Sequence, residues 1–234
     1  MKVIIDPGHG GTDTGAVYGE AKESEIALKV AQQLKQLLEE SKGFAASLTR
    51  GQDQSLSLQE RVEIAEKEKA DLFLSIHANA STDQRARGVE FYFQNQLPAD
   101  EESLYLANLE NQVVKDMSSS TNTGISKKSD VLAIVEDLKR QNKMRSSYAL
   151  SNRLLKAWYA PGQKESHVIR QAPFYVISKT GIPSVLIELG FISNPKESQK
   201  LIQAQYQMEI ARKIYQGLLA YKEMVDKSEP SRLQ

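Results

Sequence analysis

MKVIIDPGHGG, Met1 to Gly11, opens the chain and sets how the rest is read. Val3, Ile4 and Ile5 form a β-branched run that reads as a buried strand, and Pro7-Gly8 ends it. His9, one of only three histidines, stands at the strand's end among glycines. Glycine lets a backbone turn tightly and approach a bound group closely. A histidine held there aims its ring into a cleft; a polar turn with the imidazole in solvent is the plainer alternative.

Outward from this strand the pattern alternates. Ile26, Ala27, Val30, Ala31, Leu34, Leu37 and Leu38 have helical spacing over 24–40, and Phe44–Thr49 reads as a strand. Ser57-Leu58-Gln59-Glu60 is a capping box opening a helix through about Lys67. The stretch 71–76 is a buried strand ending at His77, and 88–93, 173–178 and 183–189 read as further strands. Asn194-Pro195-Lys196-Glu197 starts another helix, 205–225 forms the last, and 226–234 is a flexible tail. Such alternation implies a single α/β domain over 1–225, with a mostly parallel twisted sheet and helices on both faces. The rhythm changes at 94–169. Two helical segments, about 101–117 and 129–159, flank a Ser/Thr/Gly/Lys-rich spacer at 118–129 and read as a helical insertion.

Composition narrows the function classes. Thirty basic and thirty acidic side chains cancel in 234 residues, which removes any global electrostatic case for nucleic acid. No run approaches 18 apolar residues, so no membrane-spanning segment is expected. Met1 leads straight into the first strand and no secretory signal is visible, so the protein is either cytosolic or a processed or truncated piece whose leader lies outside this chain. Cysteine is absent. That excludes disulfides and thiolate chemistry and leaves His, Asp and Glu as metal ligands.

In open α/β sheets, sites form beyond the carboxyl ends of strands. His9 and His77 both end strands, Glu23 feeds the first helix, and Glu188 stands inside the apolar VLIEL, where a carboxylate is costly without a partner. Together they suggest one site. Two histidines and a carboxylate match a hydrolytic zinc site, with a further glutamate as base. Each also has a plain reading: a solvated first-turn acid for Glu23, a satisfied strand-end histidine for His77. His167 reads as exposed and without a role.

The stretches VIIDPGHGGTDTGA (3–16), ESEIALKVAQQL (23–34), LTRGQD (48–53), ADLFLSIHANAS (70–81), GVEFYF (88–93), IRQAPFYVI (169–177) and IPSVLIELGFISNPKE (182–197) resemble, in order, the zinc-dependent N-acetylmuramoyl-L-alanine amidases, the amidase type 3 family. The resemblance implies one zinc per chain held by His9, Glu23 and His77, with Glu25 a nearby competitor for the ligand role. It implies Glu188 as the catalytic glutamate, Asp6 as a group orienting His9, and Asn79 and Ser81 as candidates for substrate contact. The substrate is peptidoglycan, cut between N-acetylmuramic acid and L-alanine; a non-catalytic peptidoglycan binder or another zinc peptidase is the alternative. A monomer working in the periplasm or outside the cell is expected.

Family members used in cell division carry a helical insertion that closes the cleft by autoinhibition until an activator protein engages it. The resemblance implies that 94–169 is such a regulatory insertion, with 131–155 as the covering helix; the plug on the zinc is Glu136, Asn142, another group, or absent. Ile134, Val135, Leu138, Tyr148 and Leu155 on that helix either pack on the body or meet a partner.

Overall fold

The computed structural model describes residues 1–95, 97–112, 130–159 and 168–228. The β-branched run at the start becomes β1 (Lys2–Pro7), followed by a short hairpin of β2 (Val17–Tyr18) and β3 (Ala21–Lys22). Then come α1 (Glu23–Glu39), β4 (Ala45–Leu48), α2 (Leu58–Lys67), β5 (Leu72–Asn79) and β6 (Glu90–Phe93). The insertion supplies α3 (Glu101–Asn111) and α4 (Asp130–Trp158), after which β7 (Val168–Gln171), α5 (Tyr175–Lys179), β8 (Ser184–Phe191), α6 (Pro195–Leu201) and α7 (Ala204–Ser228) complete the chain.

The main sheet runs β4-β1-β5-β8-β6-β7, parallel except where β6 meets β8. Period-two alternation assigns its faces. Ile5, Leu74 and Ile187 meet Ile26, Val30 and Leu34 of α1 and Ile214 and Leu218 of α7. Ile4, Phe73, Tyr92 and Leu186 meet Ala65 of α2, Leu106 and Ala107 of α3, and Phe174 and Ile177 at α5. The expected caps form. Ser57 and Glu60 close a reciprocal capping box on α2, and Asn194 accepts from the amides of Lys196 and Glu197 at α6.

Three expectations need correction. The stretch 173–178 is not a strand: Tyr175–Lys179 is a helical turn, and the strand lies just before it at Val168–Gln171, parallel to β6. A short apolar run does not by itself distinguish a strand from a buried helix. The insertion, expected as a regulatory cover, also contributes to the core. Leu150, Leu154 and Trp158 at the far end of α4 are buried in the main core, so excising 94–169 would remove core side chains. Ile134, Val135, Leu138 and Tyr148 are exposed, whereas Leu155 packs on the core. Residues 226–228 continue α7 rather than joining a tail. The spacer at 118–129, His167 and residues 229–234 lie outside the described residues.

The buried half of α4 is fastened by Lys143. Its Nζ donates to the carbonyls of Ile177 (2.7 Å), Ser178 (3.2 Å) and Thr180 (2.6 Å) at the end of α5, and burial pulls its pKa down to about 8. Lys143→Met keeps the volume but leaves those carbonyls without this donor. Chemical denaturation should show a loss of about 2–4 kcal/mol; a loss within 0.5 kcal/mol, about the scatter of ordinary surface substitutions, would refute this anchor.

Candidate metal and catalytic site

β1 and β5 end side by side, with Pro7 opposite Ile76, so His9 and His77 leave the same sheet edge. Their rings stand 5.0 Å apart, nearly perpendicular. The His77 ring lies so close to Gly8 that a Cβ there would sit 2.4 Å from its Cε1. Gly15 has φ +61°, and a Cβ on it would meet the Glu23 carboxylate and the His9 ring at 2.6 Å. At both positions the loop must approach without a side chain. His9 itself is left-handed, with φ +54°.

Glu23, the first residue of α1, is buried. Its Oε1 accepts from the Ala78 amide (3.0 Å) and lies 2.9 Å from His77 Nδ1; its Oε2 accepts from the Ala16 amide (2.9 Å). Glu25, the competing carboxylate, is exposed and pairs with Lys22. A fourth group completes the cluster. Glu110, near the end of α3, places Oε2 3.3 Å from His9 Nε2 and 3.5 Å from His77 Nδ1. One donor atom each from His9, Glu23, His77 and Glu110 lies within 4.8 Å of all the others.

Neither named plug candidate reaches this cluster. Glu136 and Asn142 are exposed on α4, and Glu136 lines a separate groove with Lys139 and Arg140. The insertion meets the cluster through α3 instead. The orienting group also differs from expectation. Asp13 Oδ2 lies 2.8 Å from His9 Nδ1, which favours the proton on Nδ1 and frees the Nε2 lone pair. Asp6 is engaged elsewhere, accepting from Thr49, Arg61 and Ser75. Asn79 donates to buried Glu90, and the Ser81 hydroxyl accepts from the Asp83 amide.

Glu188 faces His77 across the β5–β8 pair, just before a register shift that turns the end of β8. Burial pushes its pKa well above the usual carboxylate value, and Glu23, Glu110 and Glu90 push it further. Burial works to lower the pKa of His9, but Glu23, Asp13 and Glu110 outweigh it and raise it far above 6.5. Burial works to raise that of Glu23, but His9 and His77 hold it below 4.5. These carboxylates crowd one another and call for a positive charge between them. His9 Nε2 faces the carboxylates of Glu23 (3.2 Å) and Glu110 (3.3 Å), while Glu188 Oε2 is buried without a hydrogen-bond partner among the described residues. Two imidazoles with carboxylates and no thiolate suit a borderline divalent cation such as zinc. The donor set fits.

A cluster of two histidines and two carboxylates able to hold a divalent cation, beside a buried glutamate, is the donor set of a metal-binding site. Comparison narrows this. The family described as N-acetylmuramoyl-L-alanine amidase matches residues 3–220, and the chain belongs to that family of peptidoglycan hydrolases. It is 34% identical to N-acetylmuramoyl-L-alanine amidase AmiA of Escherichia coli (strain K12) over 221 residues, covering 94% of this chain and 75% of that one. The catalytic domain of the amidase CwlV from Bacillus (Paenibacillus) polymyxa var. colistinus superposes with a TM-score of 0.69 at 28% identity, covering 95% of this chain and 98% of that one. The CwlD amidase of Clostridioides difficile, solved in complex with the GerS lipoprotein, gives 0.70 at 26% identity, with 95% and 98% covered.

Proposed function

We propose that this chain hydrolyses the amide between the lactyl group of N-acetylmuramic acid and L-alanine, using one zinc ion at His9, Glu23 and His77, and that α3 holds the enzyme shut. The carrying observation is the cluster in which His9, Glu23, His77 and Glu110 bring donor atoms within 4.8 Å of one another, beside buried Glu188. Bound zinc supplies Lewis acidity and an acidic water at neutral pH. Asp13 keeps His9 in the tautomer that presents Nε2. Glu188 accepts the proton released during attack, holds it in its buried site, and delivers it to the departing L-alanine nitrogen. The products are a lactyl carboxylate and a free L-alanine amine. Because peptidoglycan lies outside the cytoplasmic membrane, the place of action is the periplasm or cell exterior.

Closure is supported by the space beneath α3. The cleft lined by His9, His77, Glu110 and Phe174 leaves about 30 Å³, water-sized and far below the roughly 300–1,000 Å³ of ligand clefts. The lid is also weakly anchored. Only Ser103, Leu106 and Ala107 of α3 are buried, and one buried leucine is worth about 1.5–3 kcal/mol. Polar ties do the rest: Asn111 accepts from the Tyr175 amide (2.7 Å) and donates to the Pro173 carbonyl (3.0 Å). A partner that prefers the open form can supply this difference. Exposed Tyr105 and Leu109 on α3 and Ile134 and Leu138 on α4 offer it apolar side chains, and the lipoprotein complex of CwlD favours an activator protein. Cell separation is the process this regulation suits.

Purified muropeptides test the activity. Glu110→Ala should release L-alanine amines at least about tenfold faster than the wild type, the equivalent of about 1.4 kcal/mol of closure removed, with zinc content unchanged. Equal rates would remove the plug. Binding of peptidoglycan with no amine released by the zinc-loaded variant would favour a non-catalytic binder.

A further inference from the structure

We infer that Arg50 is a positioning residue that fastens His9 and Glu23 at metal-binding separation by bridging the backbones that carry them. The two side chains belong to different elements, a Gly-rich loop and the start of α1. Arg50, 1% exposed, lies behind both. Its Nε donates to the Pro7 carbonyl (3.0 Å), its Nη2 to the carbonyls of Gly8 (2.7 Å) and Ser24 (2.9 Å), and its Nη1 to Gln52 (3.2 Å). Gly8 precedes His9 and Ser24 follows Glu23, so one guanidinium nitrogen ties the neighbours of both. Arg61 adds a second hold on the loop alone, donating to the carbonyls of Pro7 (2.7 Å) and His9 (2.8 Å). The carbonyls of Pro7, Gly8 and His9 therefore all turn toward the two arginines. This pins a loop whose His9 is left-handed, a conformation that a non-glycine residue keeps only when its surroundings enforce it.

A planar fork is required. Lysine keeps the charge but presents its three donors from one point, and cannot span the Pro7–Gly8 and Ser24 carbonyls together. The inference rests on the metal site proposed above, and the test separates the two. Zinc affinity is measured by competition with a chromophoric chelator on folded wild type, Arg50→Lys and Asn194→Ala, folding being checked by circular dichroism. Asn194→Ala removes the α6 cap and serves as a destabilised control. The expected result is a 10–100-fold weaker affinity for Arg50→Lys, the usual effect of losing a residue that orients ligands, with wild-type affinity in Asn194→Ala. Wild-type affinity in folded Arg50→Lys overturns the inference, whereas no binding by the wild type overturns the metal site itself. Should Arg50→Lys not fold, Arg50→Ala is measured with added methylguanidinium. Recovery of fold and zinc affinity together supports the bridge, and recovery of the fold alone overturns it.

Discussion

Glu188→Gln should lower turnover by about 10²–10⁴-fold, the usual contribution of a general base, while the protein keeps its zinc. The substitution preserves shape and removes the ability to accept a proton. Measured in the Glu110→Ala background, so that closure does not mask the effect, kcat should fall with metal content unchanged. A variant that loses its metal would make Glu188 a ligand; unchanged turnover would remove it from the mechanism. The same variant should stabilise the metal-free chain. Burial and the charges of Glu23, Glu110 and Glu90 raise the folded pKa of Glu188, so the folded state binds its proton more tightly than the unfolded one. That contribution is fully present below the unfolded value, near 4.5, and is lost as pH rises toward the folded value. The stability advantage of Glu188→Gln over the wild type should therefore widen from about pH 4.5 upward. Zinc should narrow it, because a dication opposes the carboxylate repulsion. A gap independent of pH would contradict this electrostatic account.

Chelation should abolish hydrolysis, and zinc should restore it. The thermal midpoint should move with it. A ligand present at about 100 times its Kd stabilises the folded state by about 2.7 kcal/mol, which for a chain of this size is a shift of roughly 5–10 °C. Magnesium should restore neither, since it favours octahedral oxygen sites rather than paired imidazoles. His77→Ala should bind zinc far more weakly and lose both effects. Full turnover in a demonstrably metal-free sample would sink the metal mechanism.

Much of this protein is legible in its sequence. The strand at Val3–Ile5, the helical spacing from Ile26 to Leu38 and the caps at Ser57 and Asn194 are local patterns, and local physics decided them. His9, Glu23, His77 and Glu188 were legible for a different reason: each departs from its surroundings in a strand end, a helix start or an apolar run, and the sheet edge collects such departures. Asp13 left a fainter signal, a carboxylate four residues beyond His9 in the same loop.

Other features had no local signature. Glu110 looks like any acid on a surface helix, and only the seating of α3 over the sheet edge brings it to the histidines. Arg50 reads as a charged residue after a strand, yet its burial and its hold on Gly8 and Ser24 come from elements that meet only in the folded chain. The helix at Tyr175 and the core half of α4 were likewise set by long-range packing, which overrides weak local preference in short apolar segments. Composition and spacing determined the sheet and the groups able to hold a metal. Tertiary structure alone decided which residue of the insertion reaches the site and which arginine bridges its loops, because those contacts join residues distant in sequence that no periodicity relates.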